Sequence, residues 1–74
     1  MNFNMRMEET VVSFFDEASG ISVFVNSDDN VAFLVRIGTD ADTQPAGVIV
    51  PTTHDELNEK INEIWNAYKR IYDL

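Results

Sequence analysis

The chain has 74 residues, no cysteine, and 13 acidic side chains against 5 Lys plus Arg, a formal charge of −8. That length allows one small domain with a thin core, and zero Cys excludes a disulfide staple, a thiolate metal site and a cysteine nucleophile. No apolar run approaches the roughly 18 residues of a membrane span, and the N-terminus lacks the apolar stretch of a signal peptide, so the expectation is a soluble, cytoplasmic domain.

The first third admits two readings. Thr10-Val11-Val12-Ser13-Phe14-Phe15 has the β-branched and aromatic content of a strand. Met7, Val11, Phe14, Phe15 and Ala18 also fit a helical stripe stopped at Gly20. The β-branched run followed by two Phe favours the strand. Phe3, Met5 and Met7 alternate with polar residues and would extend it toward the terminus.

Ile21–Val25 and Val31–Ile37 read as the next strands, joined by the turn-forming Asn26-Ser27-Asp28-Asp29-Asn30. Gly38 to Gly47 reads as a polar loop, and Gly47-Val48-Ile49-Val50 as a short last strand stopped by Pro51. Thr53-His54-Asp55-Glu56 has the pattern of a capping box. Leu57, Ile61, Ile64, Trp65, Tyr68, Ile71 and Tyr72 then mark one face of a helix. An amphipathic helix over 53–73 is expected, with regular turns from about Asp55 to Tyr72 and a length of about 27 Å. Lys69 and Arg70 near its end and Asp55, Glu56 and Glu59 near its start suit the macrodipole. The fold class is α+β: an antiparallel sheet of three to four strands, over residues 1–50, with the C-terminal helix on one face.

Strand alternation assigns the side chains. Ile21, Val23, Val25, Val31, Phe33, Val35 and Ile37 form the natural partner for the helix stripe. Phe24, Ala32 and Leu34 fall on the far face, joined by Ile49 and one of Phe14 and Phe15. An uncovered apolar patch of this kind marks contact with another chain. It points either to a partner or to a homodimer, which would also help so small a core.

The residue inventory speaks against an enzyme. His54 is the only histidine, at a helix start where an imidazolium opposes the dipole. No serine has a nucleophile motif. Gly20, Gly38 and Gly47 are too scattered for a phosphate loop. Asp40-Ala41-Asp42 faintly resembles a calcium loop, but Pro45 replaces its glycine and no glutamate closes it. No catalytic residue, metal ligand or cofactor is assigned.

The acids come in pairs: Glu8-Glu9, Asp16-Glu17, Asp28-Asp29, Asp40 with Asp42, and Asp55-Glu56, each at an expected turn or element end. Turns also suit Asp for purely local reasons, and a charge of this size also serves solubility alone. The net charge repels nucleic-acid phosphates and anionic membranes, so neither is an expected partner, and it attracts a basic surface. Carboxylates aligned along one surface can stand in for backbone phosphates. Small, acidic, cysteine-free chains without catalytic residues resemble phage-encoded inhibitors of host defence, such as anti-CRISPR proteins and inhibitors of DNA-repair or restriction enzymes. This resemblance is one of profile and assigns no residue.

The expected function is therefore a non-enzymatic inhibitor that acts in the host cytoplasm on a basic nucleic-acid-binding protein. Asp16, Glu17, Asp28, Asp29, Asp40 and Asp42 would supply the charge, and Phe24 and Leu34 the apolar contact. The alternative is a structural or adaptor module that self-associates through the outer sheet face.

Overall fold

The computed structural model describes residues 1–74. Four strands, β1 (Val11–Asp16), β2 (Ile21–Asn26), β3 (Phe33–Thr39) and β4 (Asp42–Ile49), form one antiparallel sheet in the order β1-β2-β3-β4. A single helix, α1 (His54–Ile71), follows. The α+β class is as expected, with four strands, and the ambiguous first segment is a strand. Thr10, Val11 and Val12 lose χ1 freedom in a helix and pack well on a pleated surface, which decides it.

The inner face is built in rows across the register. Val12, Val25 and Val35 align toward Gly47, and Phe14 aligns with Val23 and Ile37. Leu57, Ile61 and Trp65 of α1 close the core over Val23, Val25, Phe33, Val35 and Ile37. The helix lies mainly over β3 and β4. A Cβ at Gly47 would stand 3.0 Å from the Ile64 Cδ1, so a bare glycine lets α1 approach the sheet.

The capping box forms with one variation. The Thr53 Oγ1 accepts from the Glu56 N–H at 3.0 Å, and the Glu56 carboxylate accepts from the Thr52 N–H at 2.9 Å. The reciprocal bond thus reaches one residue beyond the N-cap.

Three sequence expectations are corrected. Gly38 to Gly47 is not a long loop. Only Asp40 and Ala41 lie outside the strands, and β4 begins at Asp42. Pro45 is tolerated because β4 is an edge strand with a bulge: Gly47 pairs with Val35 and Pro45 with Arg36, which leaves Ala46 extra. Val31 does not reach the core. It precedes β3 and is 55% exposed, because the loop from Ser27 to Ala32 is shaped by its own side chains. There the buried Ser27 hydroxyl donates to the Ala32 carbonyl at 2.7 Å and accepts from the Asn30 N–H at 2.8 Å.

The third correction concerns the N-terminus. Phe3, Met5 and Met7 extend no strand. They form a strap over the inner face, with Met5 fully buried in the core and Phe3 edge-on to Phe14 at 4.9 Å. The segment turns at Met7–Glu8, where the Glu9 N–H donates to the Arg6 carbonyl at 3.1 Å, and side chains rather than a strand bond the Met5 and Met7 backbone. The Asn58 Oδ1 accepts from the Met5 N–H at 2.8 Å, and its Nδ2 donates to the Met5 carbonyl at 2.9 Å. The His54 Nδ1 accepts from the Met7 N–H at 2.9 Å. The Asn30 Nδ2 donates to the Met7 carbonyl at 2.9 Å.

Candidate functional site

Because α1 and the strap cover only one side, the other side of the sheet is bare. Three rows cross it: Val11, Asn26, Leu34 and Val48; Ser13, Phe24, Arg36 and Pro45; Phe15, Ser22, Gly38 and Thr43. Phe24 and Leu34 stand here as expected, both half-buried. Two other assignments change. Ile49 turns inward, 6% exposed, and Val48 takes the outer position at 66%. Ala32 lies before β3 rather than in it. The β4 bulge shifts register by one residue, which reverses the faces of Gly47, Val48 and Ile49 relative to an unbulged hairpin.

Of the adjacent phenylalanines, Phe14 packs inward and Phe15 outward, 61% exposed. Val11, at 73%, completes the edge of the outer patch. Sequence reasoning left Val11 and Val48 out of this patch. The alternation that puts Phe15 outward puts Val11 there too, so that signal was available. Arg36 is the one cation within the patch. Its guanidinium bonds Thr43, with Nε 3.1 Å from Oγ1 and Nη2 3.1 Å from the carbonyl, so it lies along the sheet.

The six candidate carboxylates do not form a single row. The β1–β2 and β3–β4 turns are at one end of the sheet, about 10 Å apart by strand spacing. That end holds Asp16, Glu17, Asp40 and Asp42. Asp28 and Asp29 lie at the other end, about 20 Å away along the strands. Chain direction brings Glu8, Glu9, Asp55 and Glu56 to that second end. The outer face is thus framed by acids at both ends.

Three of the six carboxylates also hold local structure. Asp16 accepts from the Ser19 hydroxyl at 2.6 Å. Asp42 accepts from the Gln44 amide at 3.2 Å. Asp29 accepts from the Val31 and Ala32 N–H groups at 2.9 and 3.0 Å. Those two backbone donors hold the Asp29 carboxyl below its ordinary range. Glu17, Asp28 and Asp40 make no such side-chain bond and are exposed to solvent. Glu8 is also held low, chiefly by its hydrogen bond with Arg6, 2.7 Å away.

Elsewhere, a groove of about 300 Å³ runs between β4 and the end of α1, lined by Pro45, Ala46, Ile64, Ala67, Tyr68 and Ile71. It is at the small end of ligand pockets, and no charged group converges on it. No group of three or more His, Asp or Glu is placed to hold a metal ion, and no helix is long and apolar enough to cross a membrane. Comparison with protein-family models, curated proteins and solved structures finds no match to this chain.

Proposed function

We propose that the chain is a non-enzymatic, acidic protein-binding module. In this reading it is an inhibitor of the phage anti-defence type, which covers a basic nucleic-acid-binding surface of a host protein. The observation that supports it is the uncovered outer face, with Phe24, Leu34, Phe15, Val11 and Val48 between two carboxylate ends. An apolar centre contributes contact area, and flanking charge selects a cationic partner and speeds encounter.

The reading is tested by comparing two sets of variants for inhibition and capture of the partner. Glu17→Gln with Asp28→Asn and Asp40→Asn removes charge without touching a local hydrogen bond. Phe24→Ser with Leu34→Ser removes apolar contact. The charge set is expected to weaken partner binding most at low salt. Unchanged binding by the charge set, together with loss of self-assembly in the apolar set, would favour the second reading. That reading is a structural or adaptor module built by homo-oligomerisation, and the exposure of Val11, Phe15 and Val48 favours it.

A further inference from the structure

The two edges of the sheet are not alike. β4 carries two features that hinder strand addition: Pro45, which has no N–H, and the extra residue Ala46, which bends the edge. β1 carries neither. It pairs residue for residue with β2 from Val11 to Asp16 and contains no Pro, Gly or Lys. The strap does not cover it, since no backbone hydrogen bond joins residues 1–9 to β1. A regular edge with a row of unpaired N–H and C=O groups is a template for another strand.

Charge identifies the occupant. Glu8 and Glu9 precede β1, and Asp16 and Glu17 end it. Arg6 is the cation at this edge and is matched by Glu8 at 2.7 Å, which leaves Glu9, Asp16 and Glu17 uncompensated. A second copy fits poorly. Two two-fold registers overlap five residues of the strand. The one centred on Ser13 pairs Val11 of one copy with Phe15 of the other but sets Glu9 opposite Glu17 at both ends, and like charges directly opposite destabilise a strand pair. The one centred on Phe14 sets Asp16 and Glu17 of each copy against Val12 and Val11 of the other, so no cation meets these carboxylates.

We propose that the open edge of β1 docks an extended segment of a partner protein, whose backbone adds a fifth strand. Lys or Arg residues flanking that segment meet Glu9 at one end and Asp16 and Glu17 at the other. Its outward side chains cover Val11 and Phe15, which are 73% and 61% exposed. The inference rests on the reading of the chain as an acidic protein-binding module and locates where the partner's backbone engages. Main-chain hydrogen bonds then supply affinity, and the alternating side chains and end charges supply selection.

The test uses three labelled peptides: KKTVTVTVKK, the same core flanked by glutamates, and the lysine peptide with alternate core nitrogens methylated. Binding to the full chain is read by fluorescence anisotropy, and the docking position by amide hydrogen exchange. The lysine peptide is expected to bind, more weakly as salt rises, and to protect β1 amides. N-methylation on the bonded edge removes ladder donors and is expected to weaken binding about tenfold or more. Equal binding of the methylated peptide, or protection confined to β4 or the outer face, would overturn strand addition while leaving the acidic-module reading intact. Equal binding of the glutamate peptide would overturn the charge selection. Sedimentation showing a dimer with β1 protected in the absence of peptide would replace the partner segment by a second copy. Failure of all three peptides to bind would also overturn the proposal, whereas the acidic-module reading is judged separately on the captured partner.

Discussion

Asn58 is a polar residue near the start of the helix whose removal should cost well more than an ordinary surface substitution. Its side-chain amide accepts from the Met5 N–H and donates to the Met5 carbonyl, at 2.8 and 2.9 Å. Met5 itself is fully buried, 1% exposed. Asn58→Ala removes both bonds and leaves both backbone groups without a partner. At about 0.5–1.5 kcal/mol per net hydrogen bond, with more for a buried group left unsatisfied, the loss should be about 1–3 kcal/mol. A chain of this size has a net stability of about 4–11 kcal/mol, so the effect is a large part of the whole. A loss of about 2 kcal/mol corresponds to a Tm lower by about 8–16 °C. Urea unfolding gives the free energy, and exchange of the Met5 amide reports the strap directly. Asn58→Asp is the matched control. It keeps an acceptor for the Met5 N–H but sets a carboxylate oxygen against the Met5 carbonyl, so it should fail to restore stability. A change of less than about 0.5 kcal/mol in Asn58→Ala, with Met5 exchange unchanged, would refute the clamp, since that is the range of surface substitutions.

Three other outcomes follow from the same structure. Trp65→Ala empties the largest buried side chain of the core and should cost about 3–5 kcal/mol, enough to broaden or abolish cooperative unfolding by near-UV circular dichroism. At Gly38→Ala the new methyl collides with the Asp42 carbonyl oxygen and stands 2.9 Å from the Thr43 Cα. The hairpin should lose about 1–3 kcal/mol, with Asp42 and Thr43 amides exchanging fastest. The Asp29 carboxyl is held below its ordinary value of 3.8 by the Val31 and Ala32 N–H groups, so its stabilising contribution is present above that value. That contribution is lost as pH falls through the lower folded-state value. The Asp29→Asn side chain keeps an acceptor without titrating, so the variant should show a shallower acid limb in stability-versus-pH curves; parallel limbs would contradict the assignment.

The parts of the fold legible in the sequence were those written in local periodicity. The stripe from Leu57 to Trp65, the capping box and the alternation of Val23, Val25, Phe33, Val35 and Ile37 each pointed to the face they occupy. Two signals misled because a partner outside the local window decides them. Pro45 and the surrounding polar residues read as a loop, yet an edge strand with a bulge accommodates them, and that bulge sends Val48 outward and Ile49 inward. Phe3, Met5 and Met7 read as strand, but side chains from positions 30, 54 and 58 hold their backbone, and no local pattern encodes that reach. The placement of Phe24 and Leu34 on the outer face was legible from alternation alone. The division of the acids between two ends was implied by antiparallel connectivity, in which successive turns fall at opposite ends, whereas their lateral spacing depends on strand order.

Capture of the partner from a host lysate, repeated at low salt, at high salt and with added duplex DNA, addresses the acidic-module account most directly. The account predicts a nucleic-acid-binding protein that is retained at low salt and released both by salt and by DNA competing for the same surface. A partner that survives high salt, or that holds this chain and DNA at the same time, would contradict it.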